Sequence, residues 1–247
     1  MRFLDERSSY VIGTFQWAGI EHRGEAMWPR VCSVSGALDL FLQRKGAFYQ
    51  NMSHWTDKPM IHIVPHWNFE GLEGEEILTA VYTNCEETEL FLNGESLGKQ
   101  DTSNFKRGQW RVKYIPGCLL AKGYIDGKEV CCDSRETTGE PVKLSLRLEN
   151  SFEPNGKDIA VFTCECLDEN GRTVPNAEKY VSFSTCENAQ ILGTGSDICD
   201  HKNVTLPQRQ MYGGKITVAV RPNSGAEEFK LFAKSKDCVI TCFTWRK

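Results

Sequence analysis

The chain has 247 residues, of which 40% are hydrophobic and 25% are charged, a composition typical of folded globular proteins and unlike that of disordered or collagen-like chains. Its 29 Lys and Arg residues stand against 33 Asp and Glu residues, so the formal charge of −4 gives no reason to expect nucleic acid or anionic lipid as a partner. No apolar run approaches the roughly 20 residues of a membrane-spanning helix, and we expect no membrane span.

The first 57 residues predict one strand and one helix. Residues 1–10 carry charges and no apolar core, so no signal peptide is expected there. Residues 11–17 form a mostly apolar run without alternation, typical of a parallel strand buried on both faces. Phe48, Met52 and Trp55 follow the i, i+4, i+7 spacing of one helix face. Since one strand and one helix cannot bury their own apolar surfaces, we expect the end of a larger sheet and a chain truncated at its N-terminus.

A cluster of polar and aromatic residues follows the predicted strand. Trp17 ends the apolar run, and Glu21, His22 and Glu25 stand on the loop after it. A tryptophan at the C-terminal end of a strand, with carboxylates and a histidine on the next loop, is typical of the active-site rim of a (β/α)8 barrel. The same residue types also fit a core tryptophan, solvated carboxylates and an ordinary loop histidine. Residue types alone leave both interpretations open.

From about residue 60 onward, apolar and polar residues alternate, which predicts antiparallel strands. The clearest one-face runs are Val142, Leu144, Leu146 and Leu148; Ala160, Phe162, Cys164 and Cys166; and Ile216, Val218 and Val220. Three dipeptides, Asn93-Gly94, Asp126-Gly127 and Asn170-Gly171, supply the positive φ that tight hairpins need. The polar residues 136–141, with one glycine and one proline, predict a domain boundary.

Eleven cysteines are an odd number, so at least one thiol cannot pair within the chain. Cys131 with Cys132, and Cys164 with Cys166, are too close in sequence for the knuckles of structural zinc sites. We expect buried free thiols in a reducing compartment, which favours the cytoplasm.

Other candidate sites are weak. His62 and His66 share one face of a strand, but Pro65 lies between them and no third ligand is near in sequence. Gly193-Thr194-Gly195 lacks the third glycine and the following helix of a dinucleotide-binding motif. The sequence therefore predicts neither a metal site nor a cofactor.

Residues 13–25, with the pattern G-x-F-x-W-x-G-x-E-x-x-G-E, closely resemble the last strand and loop of the catalytic barrel in glycoside hydrolase family 2, especially its β-galactosidases. Further segments resemble the barrel's closing helix and the sandwich domain after it: Trp28-Pro29, Ser35–Asp39, Lys45, Tyr49, Trp55, His62–Trp67, Thr83-Asn84, Glu89–Gly94, Ser96–Gly98, Trp110–Tyr114, Pro116-Gly117, Leu120-Ala121 and Thr137–Gly139. Beyond Pro141, the similarity is to the family's terminal immunoglobulin-like domain, in Asp158–Ala160, Gly171-Arg172 and Val174-Pro175.

The resemblance implies a mainly β fold: two tandem antiparallel immunoglobulin-like β-sandwiches, preceded by a remnant βα unit of a (β/α)8 barrel. The expected domains are the barrel remnant at residues 1–57, a sandwich at 58–138 and the terminal sandwich at 139–247. Trp17 would then stack on the terminal galactose. Glu21 stands where the family usually has Asp, and would accept sugar hydroxyls or orient the catalytic pair. His22 stands where the family often has a tyrosine, and with Trp17 and Glu21 it completes the set of residues expected to bind the substrate.

The retaining mechanism of this family needs two carboxyl groups about 5 to 5.5 Å apart. In the family, the acid belongs to an Asn-Glu pair on an earlier strand, and the nucleophile lies on the strand before the one seen here. No Asn-Glu dipeptide occurs in this sequence. The chain alone is therefore predicted to be inactive, as the non-catalytic C-terminal part of a β-galactosidase. Its expected partners are the preceding barrel, a β-galactoside in the intact enzyme and, through the exposed remnant, a further copy of the chain.

Two other interpretations remain. The first is a free-standing carbohydrate-binding or adhesive tandem of sandwiches, with Trp67 and Trp110 as stacking platforms, although strand tryptophans are more often core. The second is an independent hydrolase that uses Glu21 and Glu25, which ranks lowest because the barrel that would set their pKa values is not in the sequence.

Overall fold

The computed structural model describes residues 9–13, 15–104 and 106–247, and Thr14 of the family-like pattern lies outside them, as do most of the residues examined for a signal peptide. The described residues form one helix and fifteen strands. By their contacts they divide into two compact units, one within residues 1–23 and 33–137, the other within 24–32 and 138–247. No helix in the described part of the chain has the length and apolar character needed to cross a membrane.

The first unit contains the helix and seven strands. Their bounds are α1 Gly46–Trp55, β1 Ile61–Val64, β2 Glu76–Thr83, β3 Glu87–Leu92, β4 Glu95–Asp101, β5 Gly108–Lys113, β6 Cys118–Ile125 and β7 Lys128–Glu136. The strands form two antiparallel sheets, in the orders β1-β2-β5 and β4-β3-β6-β7. Both sheets contribute to one core, which includes Ile63, Val81, Leu90 and Leu119. This unit is a β-sandwich with the helix packed on β1 and β2.

The second unit contains eight strands. Their bounds are β8 Lys143–Leu148, β9 Ala160–Leu167, β10 Tyr180–Thr185, β11 Ala189–Gly195, β12 Gln208–Gln210, β13 Lys215–Pro222, β14 Glu228–Ser235 and β15 Thr241–Arg246. They form two antiparallel sheets, in the orders β12-β10-β14-β15 and β11-β13-β9-β8, around one core. The predicted inward faces are confirmed, since Leu144, Phe162 and Val218 are all fully buried. The chain is therefore mainly β, with antiparallel sheets, as predicted.

All three predicted tight turns form. Asn93-Gly94 joins β3 to β4 and Asp126-Gly127 joins β6 to β7, and all four residues have positive φ. Asn170-Gly171 closes a short antiparallel turn after β9, where Leu167 pairs with Thr173 and Gly171 has φ of 78°. The Asp168 carboxylate accepts the backbone N–H groups of Asn170 and Arg172, which reinforces this turn.

The predicted strand at residues 11–17 is not observed, since the described residues of this segment have no strand conformation and Ile12 and Phe15 are fully exposed. A strand needs a hydrogen-bonded neighbour, and none lies beside this segment among the described residues. The predicted helix does form as α1, but its apolar stripe is not its buried side. Ser53 is buried on the first sandwich, whereas Trp55 is 64% exposed.

All eleven cysteines are free thiols. Cys32, Cys85, Cys164 and Cys166 are buried, in agreement with the prediction, and five others are half-buried. The prediction of burial is wrong for Cys132 and Cys242, which are exposed on β7 and β15. Side chains of a strand alternate between its two faces. Cys132 and Cys242 lie on the outer faces, since their neighbours Cys131 and Phe243 are the more buried residues.

Candidate functional site

The Glu21 side chain is buried, with 1% of its surface exposed, and its carboxylate forms an ion pair with the Lys45 ammonium. Lys45 Nζ also donates a hydrogen bond to the Val34 carbonyl at 2.9 Å. The backbone is fixed as well, because the Glu21 N–H donates to the Leu38 carbonyl at 2.9 Å. A Cβ on Gly36 would lie 2.2 Å from the Glu21 nitrogen, so only glycine permits this close approach. The interpretation of Glu21 as a solvated carboxylate is therefore wrong.

Asp39 extends this charged cluster, and sequence reasoning gave it no role. Its carboxylate accepts the backbone N–H groups of Phe41 and Gln43, both at 2.8 Å. Burial raises the pKa of Asp39, and the negative charge of Glu21 adds to the increase. Asp39 and Lys45 both occur in the segments that carry the family resemblance. That resemblance was the feature of the sequence that could have identified them as parts of the site. Through its two backbone hydrogen bonds, Asp39 fixes the turn between Leu38, whose carbonyl accepts the Glu21 N–H, and Lys45, which pairs with Glu21.

Trp17 and His22 contact each other at the edge of this cluster. Their rings meet edge to face, with centroids 5.5 Å apart. His22 Nδ1 lies 3.1 Å from the Ser33 hydroxyl, and the His22 carbonyl accepts the Ser33 N–H at 2.9 Å. Trp17 is 70% exposed, so the interpretation of it as a core residue is wrong. The structure therefore places Trp17, Glu21 and His22 on one short segment, with an exposed indole and a buried carboxylate.

An open apolar groove of about 600 Å³ lies beside this segment, within the first unit. Its lining residues are Phe15, Gln16, Gly19, Ile20, Ala37, Leu38, Phe48, Asn51, Met52 and Trp55. Two of the lining residues are joined directly, since the Asn51 amide donates to Gln16 Oε1 at 2.5 Å. The predicted helix stripe of Phe48, Met52 and Trp55 therefore faces this groove and not the sandwich. Such an exposed apolar face is typical of a surface that another part of a protein covers.

Glu25, the last residue of the family-like pattern, belongs to the second unit and is exposed, with φ of 50°. The segment around it is held by the loop after β11. The Val31 N–H donates to the Ile198 carbonyl at 2.8 Å, and the ring of His201 stacks on Trp28 with centroids 4.8 Å apart. Trp28 is thus an exposed aromatic residue with a fixed ring, which sequence reasoning noted only as part of the resemblance.

His62 and His66 serve separate local structures. The ring of His62 stacks on Tyr49, with Arg135 Nη2 3.0 Å from its Nδ1. Burial, reinforced by the Arg135 charge, lowers the pKa of His62 to about 4. His66 Nδ1 accepts the backbone N–H of Asn68 at 3.2 Å. Among the described residues, no group of three His, Cys, Asp or Glu side chains is arranged to hold a metal ion.

Trp67 and Trp110, the suggested stacking platforms, are core residues. Trp67 is 1% exposed, and its indole N–H donates to the Ile115 carbonyl at 3.0 Å. Its ring also meets Tyr114 edge to face at 5.2 Å. Trp110 is 7% exposed. Neither ring presents a face on which a sugar could stack.

Comparison with known proteins gives two matching family models and several long relatives. Residues 74–131 match a domain of unknown function, DUF4982, and residues 146–240 match the glycoside hydrolase family 2 C-terminal domain 5. The chain is 32% identical over 237 residues to the β-galactosidase BoGH2A of Bacteroides ovatus, which covers 93% of this chain and 28% of that protein. It is 39% identical over 181 residues to a putative β-glucuronidase of Formosa agariphila, which covers 69% of this chain and 18% of that protein.

The fold is also found in solved structures. A glycosyl hydrolase family 2 member from Bacteroides cellulosilyticus superposes with a TM-score of 0.93 and 29% identity, covering 98% of this chain and 37% of that chain. This chain thus spans between 18% and 37% of the length of the three relatives. The C-terminal domain model and the relatives agree with the family-like segment around Glu21. The chain therefore belongs to glycoside hydrolase family 2 and contains a C-terminal domain of that family.

Proposed function

We propose that these residues form the C-terminal, non-catalytic part of a retaining β-galactosidase, in which they support the catalytic barrel and the outer rim of the sugar site. The open apolar groove beside α1 carries this proposal. An apolar face of this size is unfavourable in water, and the preceding strands and helices of a barrel would cover it. We retain residues 1–57, 58–138 and 139–247 as the proposed barrel segment and two sandwich domains.

The preference for a galactoside rests on the extent of similarity. The β-galactosidase of Bacteroides ovatus matches 93% of this chain, whereas the putative β-glucuronidase of Formosa agariphila matches 69%. Both activities hydrolyse a β-glycosidic bond. The difference in matched length therefore favours galactose over glucuronic acid and does not bear on the type of reaction.

Each segment residue has a proposed role that its geometry supports. Trp17 offers an exposed indole, on whose face the C–H groups of a galactose ring can stack. Glu21 is held by Lys45 and cannot reach solvent, which favours the orienting role over direct contact with sugar hydroxyls. His22 supports the Trp17 ring through their edge-to-face contact. The acid/base and the nucleophile are expected on preceding strands, so the 247 residues alone should not hydrolyse glycosides.

The experiment compares this chain with the longer protein encoded by the surrounding gene. We expect an Asn-Glu pair and a later strand-end Glu upstream, activity on an aryl β-galactoside in the longer protein only, and at least a tenfold lower kcat/KM after Trp17→Ala. Tyr212→Ala is the control, since Tyr212 is an exposed aromatic residue of the second unit and lines neither the groove nor the proposed sugar contact. Turnover by the 247-residue chain that Glu21→Gln abolishes would overturn the proposal.

The alternative of a free-standing sugar-binding tandem loses its support, because its two platform tryptophans lie in the core of the first sandwich. An independent hydrolase that uses Glu21 loses support for a different reason. The Glu21 carboxylate is ion-paired with Lys45 and shielded from solvent, so a substrate could not reach it without breaking that pair.

A further inference from the structure

Two cysteines that the proposed function does not use lie side by side in the first sandwich. The sulfur atoms of Cys85 and Cys131 are 3.5 Å apart, although 46 residues separate them in the chain. Cys85 stands in the connection from β2 to β3, which links the two sheets, and Cys131 lies on β7. Two thiols must come close together in the fold before a disulfide can form, and these two do.

The backbone of Cys85 is held from both sides by buried hydroxyls. Its N–H donates to the Thr83 hydroxyl oxygen at 3.0 Å, and its carbonyl accepts a hydrogen bond from the Thr102 hydroxyl at 2.9 Å. Cys131 is held by the β6–β7 ladder, where it stands directly opposite Gly123. The proximity of the two thiols is therefore a property of ordered backbone and not of a mobile loop.

Gly123 leaves the space in which the sulfurs meet. A Cβ at this position would lie 2.6 Å from the Cys85 sulfur and 2.9 Å from the Cys131 sulfur. A disulfide needs the sulfurs to approach to about 2.05 Å, a further movement of about 1.5 Å that side-chain rotation can supply. No side chain at Gly123 obstructs that movement.

The two thiols differ in charge and in access. The hydrogen bond from the Cys131 thiol lowers the pKa of Cys85, while the same contact raises the pKa of Cys131. Cys85 is 1% exposed, whereas Cys131 is half-buried. A reagent from solvent therefore meets Cys131 first, and Cys85 is placed behind it as the resolving thiolate.

We propose that Cys85 and Cys131 are a redox-active pair, which a low-molecular-weight disulfide such as oxidised glutathione converts into an intrachain disulfide. In the first step, the proton of Cys131 passes to the Cys85 thiolate, while the Cys131 sulfur attacks the reagent and expels one glutathione thiolate. In the second step, Cys85 gives this proton to water, and its thiolate attacks the Cys131 sulfur and expels the second glutathione thiolate. The protein loses two electrons, which reduce one reagent disulfide to two thiols, and excess dithiothreitol reverses both steps.

The test treats the reduced 247-residue chain with oxidised glutathione, blocks remaining thiols with iodoacetamide and maps the digest by mass spectrometry. We expect a peptide linked through Cys85 and Cys131 as the main product at these positions, and its loss on treatment with dithiothreitol. Cys242 is the internal control, because it is exposed and should stop at a mixed disulfide with glutathione.

Two variants refine the test. Cys85→Ser should leave Cys131 as a mixed disulfide, because the resolving thiolate is gone, whereas Cys132→Ser should retain the link. In the unmodified chain, three results would overturn the proposal: Cys131 held as a mixed disulfide beside free Cys85, Cys131 linked to Cys132, or both thiols unreacted while Cys242 is modified. These results do not depend on whether a variant folds.

Discussion

Replacement of Lys45 by Met tests whether the ion pair with Glu21 holds the candidate segment in place. The Glu21 side chain is 1% exposed and the Lys45 side chain 32%, so the pair is neither fully buried nor at the surface. Removal of one partner from a buried pair costs about 3–5 kcal/mol, whereas exposed pairs contribute about 0.2–1 kcal/mol. Because water reaches the lysine end, we expect an intermediate loss of about 2 kcal/mol.

Amide hydrogen exchange measures this loss where it should occur. The Glu21 N–H donates to the Leu38 carbonyl and the Lys45 N–H to the Ala37 carbonyl, so both amides report local opening of the segment. A loss of about 2 kcal/mol corresponds to a roughly 30-fold lower protection factor at these amides. Lys99→Met is the matched control, since the Lys99–Glu87 pair is exposed and lies on other strands. The control should change the protection factors of these two amides by less than about threefold. If Lys45→Met also changes them by less than about threefold, the ion pair does not hold this segment.

Three further predictions concern the two sandwiches and the loop that carries Glu21. The folded state lowers the pKa of His62 from 6.5 to about 4, so the unfolded chain takes up a proton on this imidazole at a higher pH than the folded chain does. The free energy of unfolding should therefore fall by on the order of 2 kcal/mol as the pH drops from 6.5 to 4, and His62→Gln should show a smaller fall in urea unfolding. Gly36→Ala should expose the Glu21 amide to exchange, whereas Gly19→Ala, with no atom near its added Cβ, should not. Phe162→Ala should cost about 3–5 kcal/mol in urea unfolding and Tyr212→Ala, at an exposed position, less than about 0.5; equal costs would contradict the assigned core.

Period-two patterning predicted the sandwiches well because it reports a local property. In β13, Ile216, Val218 and Val220 must all face one side of the strand, and the sheet buries that side. The dipeptides Asn93-Gly94 and Asp126-Gly127 acted in the same local way, since a two-residue hairpin is decided by the φ angles of its own residues. The core and the turns of both sandwiches could therefore be predicted from neighbouring residues.

What failed depended on distant groups. The apolar run at residues 11–17 has the composition of a buried strand, yet a strand also needs a neighbour, which the run itself cannot provide. The burial of Glu21 required Lys45, 24 residues away, and nothing in their spacing indicated the pair.

The proposed function places these residues in a retaining β-galactosidase, and the substrate preference of the longer enzyme that contains them tests it most directly. The measurement is kcat/KM for an aryl β-galactoside and for the matching aryl β-glucuronide, with NMR identification of the first anomer released. We expect the galactoside to be preferred by at least tenfold, with the β-anomer formed first, as a double displacement requires. A preference for the glucuronide, or release of the α-anomer first, would contradict the proposed function.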